Sequence, residues 1–308
     1  MIPIVAIVGP TASGKTALSL AVAERLGGAE RVEIISADAM QLYRGMDIGT
    51  AKAPLSERRG IDHHQLDVLD VTAHASVAAY QRAARANLED IRRRGKIPII
   101  VGGSGLYVSG LLDALDFPGT DPAIRADLEL VHRVQGLGPL ITELKEKDPV
   151  SAMTIDLANP RRVIRALEVV RLTGESYTPV FPRHTSHYEG VRMFGLRRDP
   201  KQLDQAIADR ARAMFDHGLV EETRSLIEDG LLEGETARKA TGYAEAIAVI
   251  NGEMDPESAI DSVTRATRRL AKKQGTWFRR DPRIQWLDIT DGNEIGLLAE
   301  GVVRELHA

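Results

Sequence analysis

Eight residues near the start of the chain, Gly9-Pro10-Thr11-Ala12-Ser13-Gly14-Lys15-Thr16, have the types and spacing of a phosphate cradle, G-x-x-x-x-G-K-[ST]. In such a loop the glycines let backbone N–H groups turn inward around phosphate oxygens, and the following helix adds its dipole. Lys15 supplies a point charge to the terminal phosphates, and Thr16 offers a hydroxyl to Mg²⁺. The pattern as such is one of nucleotide, and especially ATP, binding. It does not by itself mean hydrolysis. A nucleotide-hydrolysing core usually has a second apolar strand ending in Asp, which helps to hold the metal. The candidate strand here, Ile97 to Val101, ends instead in Gly102-Gly103-Ser104-Gly105, and an N-K-x-D base-reading motif is missing. That weakens a GTPase reading strongly and an ATPase or kinase reading moderately.

Asp38 is the second chemical group, placed just past the apolar stretch Val32 to Ile35. A carboxylate there can act as a general base or a metal-side ligand, and it can equally cap a turn. Periodicity leaves these roles open. Further along, a helix over about Ser258 to Arg280 places Arg265, Arg268, Arg269, Lys272 and Arg279 on one side. Val263, Ala266, Leu270 and Trp277 fall on the other side, which reads as its packing face. From Arg265 to Arg279 this side carries no acid, Asp261 lying a turn before it, so pairing within the helix does not account for the face and a track for nucleic-acid phosphates does. Arg161, Arg162 and Arg165 make a smaller basic patch. Arg92-Arg93-Arg94 ends a helix, where cations are favourable anyway, and is assigned no function. His63 and His64 point to opposite faces of a strand, which argues against a metal pair.

The elements that must hold these groups alternate. Ile4 to Val8 is a continuous apolar run, the mark of a strand buried on both faces. It is followed by the cradle, a helix over Lys15 to Leu26, a strand at Val32 to Ile35 and a helix at Val77 to Arg94. "KIPIIVGGSGLYVSGLL" then repeats strand, glycine turn and helix. The expected class is α/β: a P-loop core with a doubly wound, mostly parallel sheet, ligands at the carboxyl ends of its strands, and a helical insertion domain. The pattern changes at "DFPGTDP". Helices of about Ala123–Val134, Gly138–Glu146, Pro149–Ile155 and Pro160–Leu172 follow, then a loop, "GESYTPVFPRHTSHYEG". The expected domains are residues 1–115 (first part of the core), 116–189 (insertion) and 190–308. That last segment completes the core with strands near Val191 to Leu196 and Ile284 to Leu287 and basic C-terminal helices.

The 308 residues suffice to bury a sizeable core. The chain has no cysteine, which excludes disulfides and thiolate chemistry and fits a reducing cytoplasm. No apolar run reaches the length of a membrane helix, and no signal peptide precedes the first strand. A net charge of −4 argues against bulk attraction to nucleic acid and leaves local basic faces to supply it.

The wording of the motifs goes further than their spacing. "GPTASGKT", "ISADAMQLYRGMDIGTAK", "IDHHQLDV", "IPIIVGGSGLYVSGLL", "NPRRVIRALEV", "TGYAEA" and "TRRLAKKQGTWFR" occur in this order from about Val5 to Leu287. They resemble the tRNA dimethylallyltransferase (isopentenyltransferase) family. The resemblance implies a Mg²⁺-assisted transfer of the five-carbon group of dimethylallyl diphosphate to N6 of the adenosine 3′ to the anticodon. It implies Asp38 as the base on N6 and Ser104, where the family usually has Thr, as a hydroxyl on diphosphate and nucleotide. It implies the cradle and Arg210, in "IADRARAMFDHGL", as the diphosphate site. Substrate contacts fall on Asp38, Ala39, Met40 and Gln41, on Arg161, Arg162 and Arg165, and on Lys239, Gly242 and Tyr243, with Arg125 as a further tRNA contact. Arg265, Arg268 and Lys272 join them as the basic helix face. Two departures stand out. Ala39 replaces the family's usual Ser and loses a hydroxyl near the base, and Ser104 keeps its hydroxyl on a looser rotamer. The implied partners are the tRNA anticodon stem-loop and dimethylallyl diphosphate, with no membrane, for a cytoplasmic monomer. A small-molecule kinase with ATP in the cradle and a non-catalytic RNA-binding module are the alternatives.

Overall fold

The computed structural model describes residues 2–177, 184–290 and 294–307. The chain forms two compact units, one of Met1–Ala114 with His184–Ala308 and one of Leu115–Arg183.

The first unit is built on six parallel strands: β1 (Ile4–Val8), β2 (Val32–Ser36), β3 (His63–His64), β4 (Ile97–Gly102), β5 (Val191–Arg198) and β6 (Ile284–Ile289). Their order is β3-β2-β4-β1-β5-β6. All five residues of β1 are fully buried, as a central parallel strand with helices on both faces requires. On one face pack α1 (Lys15–Arg25) and α12 (Ile295–His307), through Leu18, Val22, Ala299 and Val302. On the other lie α2 (Val77–Arg93), α3 (Gly105–Leu112) and the end of α11 (Pro256–Phe278), through Tyr80, Leu88, Leu111 and Phe278. A third cluster joins Tyr43 and Met46 to residues of α8 (Pro200–Asp216), α9 (Leu219–Glu228) and α10 (Tyr243–Ile250). It underpins the loop after β2. α12 was not among the expected elements.

Parallel register decides what meets at the carboxyl edge. Val8 pairs with Gly102 and with Gly195, and Ser36 pairs with Val101. The cradle after β1, Asp38 after β2 and Ser104 after β4 therefore emerge side by side. The strand next to β1 ends in glycine because β2 leaves the sheet against it. A Cβ at Gly102 would lie 2.2 Å from the Ala37 carbonyl oxygen.

The second unit holds α4 (Pro122–Gln135), α5 (Gly138–Lys147), α6 (Pro149–Thr154) and α7 (Pro160–Thr173) around Leu128, Leu140, Leu144, Val163 and Leu167. Three of its helices, and α8 and α11 in the first unit, start with Asp or Asn followed by Pro. The carboxylate or amide oxygen caps free N–H groups and the proline presets the first turn. His184 to Glu189, expected in the insertion, belong to the first unit. There the Ala114 N–H donates to the Thr185 carbonyl at 2.9 Å and the His187 N–H to the Leu112 carbonyl at 2.7 Å. Residues 178–183 of the expected loop lie outside the described residues.

Candidate active site

The cradle turns between β1 and α1. Its last glycine, Gly14, has φ +97°, a left-handed conformation that favours glycine. The Lys15 ammonium folds back to donate to the Pro10 carbonyl at 2.6 Å, and the Ser13 hydroxyl is buried without a partner. The Thr11 N–H donates to Gln274 Oε1 at 2.8 Å. Burial pushes the Lys15 ammonium down to about 8, against the pull of the Asp38 carboxylate and with the push of the Arg210 guanidinium. Burial likewise lowers Arg210, again opposed by Asp38. Three ionisable groups, from the loop after β2, from α1 and from α8, thus share one field. Lys15, Thr16, Asp38, Arg210, Gly103 and Gln274 line one small polar cavity. Asp38 and Arg210 also line an adjoining space walled by Ile207, Met214, Val263 and Leu270.

Asp38 is both a turn group and a carboxylate lining the cavity: its Oδ1 accepts the Met40 N–H at 3.0 Å, which orients it. Ser104 caps no N–H of its own helix; its Oγ accepts the Ala39 N–H at 3.3 Å, one residue past Asp38. Gln41 bonds Ser36 Oγ and the Thr50 carbonyl, and Arg210 reaches the same carbonyl at 3.4 Å. The expected donor-side residues are therefore brought together.

Other expected contacts fare differently. Tyr243 is fully buried, and its hydroxyl donates to Glu222 Oε1 at 2.6 Å and accepts the Gly49 N–H, which supports the loop after β2. Gly242 caps α10 through Glu245, and Lys239 is exposed. Leu270, on the same side of α11 as Val263, is 41% exposed and lines with it the space beside Asp38. Arg265, Arg268 and Lys272 are carried on the outer side of α11, as is Arg269. Arg268 does meet an acid, Asp204 of α8 at 3.5 Å, which the composition of α11 alone could not reveal. Trp277 packs against the core beside Gly105. In the second unit Arg161 and Arg162 are exposed, whereas Arg125 and Arg165 pair with the buried Glu168 at 3.3 and 2.8 Å. Gln274 was missed. Its only signal was its place in the "AKKQGTWFR" block.

Among the described residues there is no group of three or more His, Asp or Glu side chains that could hold a metal. The donor set suits Mg²⁺ held by substrate phosphates and water with one protein hydroxyl, that of Thr16 in the first turn of α1. No helix among the described residues is long and apolar enough to cross a membrane.

A family model described as "IPP transferase" matches residues 41–281. A tRNA dimethylallyltransferase of Nocardia farcinica is 53% identical over 287 residues, 93% of this chain and 90% of its own. One of Mycobacterium tuberculosis is 51% identical over 286 residues, 92% of this chain and 91% of its own. The structure is similar to the tRNA isopentenylpyrophosphate transferase of Bacillus halodurans, with TM-score 0.71 and 38% identity over 100% of this chain and 97% of that one. It is also similar to a eukaryotic dimethylallyltransferase solved acting on tRNA, with TM-score 0.84 and 27% identity over 98% of this chain and 78% of that one. With the cradle, the carboxylate and the sheet edge arranged as described, the chain belongs to the IPP transferase family, that of the tRNA dimethylallyltransferases.

Proposed function

We propose that the chain transfers the dimethylallyl group of dimethylallyl diphosphate to N6 of the adenosine 3′-adjacent to the anticodon of tRNA, releasing diphosphate. The observation that carries this reading is the shared cavity of Lys15, Thr16, Arg210 and Asp38: leaving-group cations and a base open onto one space. The names of the relatives support the choice of donor and acceptor.

The diphosphate lies in the cradle, where backbone N–H groups, Lys15 and Arg210 meet the charge that grows as the C–O bond breaks. The Thr16 hydroxyl would hold Mg²⁺, which would supply counter-charge to the phosphates. The bonding pair leaves with the diphosphate oxygen, and the allylic carbon becomes electron-poor enough for a weakly basic amine to attack. The N6 lone pair forms the new C–N bond, and the proton it sheds goes to Asp38, whose Met40 bond holds it in place. Ser104 steadies the backbone after Asp38. Ile207, Met214, Val263 and Leu270 give the neighbouring space an apolar wall suited to a prenyl group. A tRNA partner and a chain without cysteine both fit a cytoplasmic enzyme.

The test is nucleoside mass analysis of tRNA after incubation with donor and Mg²⁺. A gain of one dimethylallyl group on the adenosine beside the anticodon is expected. Unmodified tRNA, or thermal stabilisation by ATP and not by dimethylallyl diphosphate, would overturn the reading.

A further inference from the structure

Two arginines end β5, and the structure treats them oppositely. Arg197 forms a fork with Asp288, with Nε to Oδ1 at 2.5 Å and Nη2 to Oδ2 at 2.8 Å. The Arg198 side chain has no hydrogen bond or ion pair among the described residues, and its Nε is buried without a partner. The nearest acid in sequence, Asp199, has its Oδ1 engaged by the Lys201 and Gln202 N–H groups at the start of α8. A guanidinium is always charged, and a buried donor left unmade is costly.

Arg198 lines the open cleft in front of the cradle, of about 800 Å³, together with Gly14, Lys15, Thr16 and Arg210. Two other cations of that cleft form ion pairs, Lys52 with Asp47 and Asp67 and Arg59 with Glu24, while Lys15 and Arg210 reach only the carbonyls of Pro10 and Thr50. Register explains the placement. Val8 pairs with Gly195, so at Arg198, still paired with Ile289 of β6, β5 has run three residues past the end of β1, alongside the cradle.

We infer that Arg198 is a second arginine for the diphosphate, closing on it from the β5 side opposite Lys15's own loop. This rests on the reading of the cradle as the diphosphate site. A fork of N–H donors matches phosphate oxygens in pairs and would satisfy the orphaned Nε when the anion arrives.

The experiment is calorimetric titration of the full chain with inorganic diphosphate and Mg²⁺. Arg198→Met keeps the apolar stem and removes the donors, and its Kd should rise by about tenfold or more. Arg198→Lys keeps the charge without the fork and should fall between Met and wild type. It also serves if the Met variant fails to fold. Arg197→Met, an equal change in net charge, should bind as wild type. Lys15→Ala reports on the underlying reading. If Lys15→Ala loses binding while both Arg198 variants bind as wild type, Arg198 is idle and the cradle reading stands. Equal weakening by Arg197→Met would reduce the effect to net charge and overturn the proposal. Undiminished binding by Lys15→Ala would remove the cradle reading and the inference with it.

Discussion

Around the cradle and in the helical unit the same residue types have opposite fates. Lys15, Arg198 and Arg210 form no ion pair among the described residues. In the helical unit Arg125 and Arg165 converge on the fully buried Glu168, and Arg171 bridges Glu143 and Asp127 at 2.7 and 2.6 Å. Arg165 also donates to the carbonyls of Pro118 and Gly119. Paired cations there hold helices together, and the unpaired ones at the cradle are, on the proposed reading, left for an anion. Composition cannot separate the two, since a basic residue reads the same whether its acid is close or absent. The comparison also divides the expected tRNA contacts. Arg161 and Arg162 are exposed and available to phosphates, while Arg125 and Arg165 spend most of their donors on the fold.

The largest effect should come from the carboxylate that the cradle cations surround. Asp38→Asn keeps the Met40 turn and cannot take the proton, so single-turnover transfer should slow by roughly 10²- to 10⁴-fold with an unchanged melting temperature. Near-normal transfer would leave Asp38 a turn residue.

The helical unit should answer in stability rather than chemistry. Glu168→Ala removes the carboxylate shared by Arg125 and Arg165, which keep Glu129 and the Pro118 and Gly119 carbonyls, and should cost about 2 kcal/mol in urea unfolding. Diphosphate affinity should stay as in wild type. A stable variant would mean that its arginines are not structural.

At the cradle, pH sharpens the contrast. Lys15 sits at about 8 when ligand-free, and a bound diphosphate raises it, so binding takes up a proton above that value. Affinity should be flat below about pH 8 and fall by up to about tenfold per unit above it. Without ligand the sign reverses. The folded pKa lies below the unfolded value of 10.5, so stability rises as pH climbs from about 8 toward it. Calorimetry in two buffers of different ionisation enthalpy reads the proton uptake directly, and none at pH 8.5 would refute it.

The smallest effects belong to the α11 surface. Lys272→Ala should lower the salt slope of tRNA binding by about one unit, and Arg268→Ala by less, because Asp204 already meets that guanidinium. Equal slopes would make the Asp204 contact irrelevant.

Most of the first unit is legible in the sequence. The strand Ile4–Val8 and the cradle are local patterns, and in the second unit helices α4 to α7 carry their own apolar period. α12 was missed although Ala299 and Val302 are fully buried, because a helix at the chain's end carries no motif to anchor it. Tyr243 shows a different limit of sequence reading. A residue inside a motif looks the same whether it touches the ligand or props the loop that does, and here its hydroxyl lies on Glu222.

The chemistry on offer is written in the sequence alone: a loop that cradles phosphates, a carboxylate past the second strand, and an alternation that makes a parallel sheet. Those depend on neighbours in the chain, where backbone geometry and side-chain period act directly. Which charges are free is decided only by the tertiary fold. Glu168 lies 43 residues from Arg125, Asp204 sits on a different helix from Arg268, and Gln274 lies 263 residues from the Thr11 amide it accepts. Ion pairs and buried hydrogen bonds act over a few ångströms of space, so their partners are set by how helices pack on the sheet and not by distance along the chain.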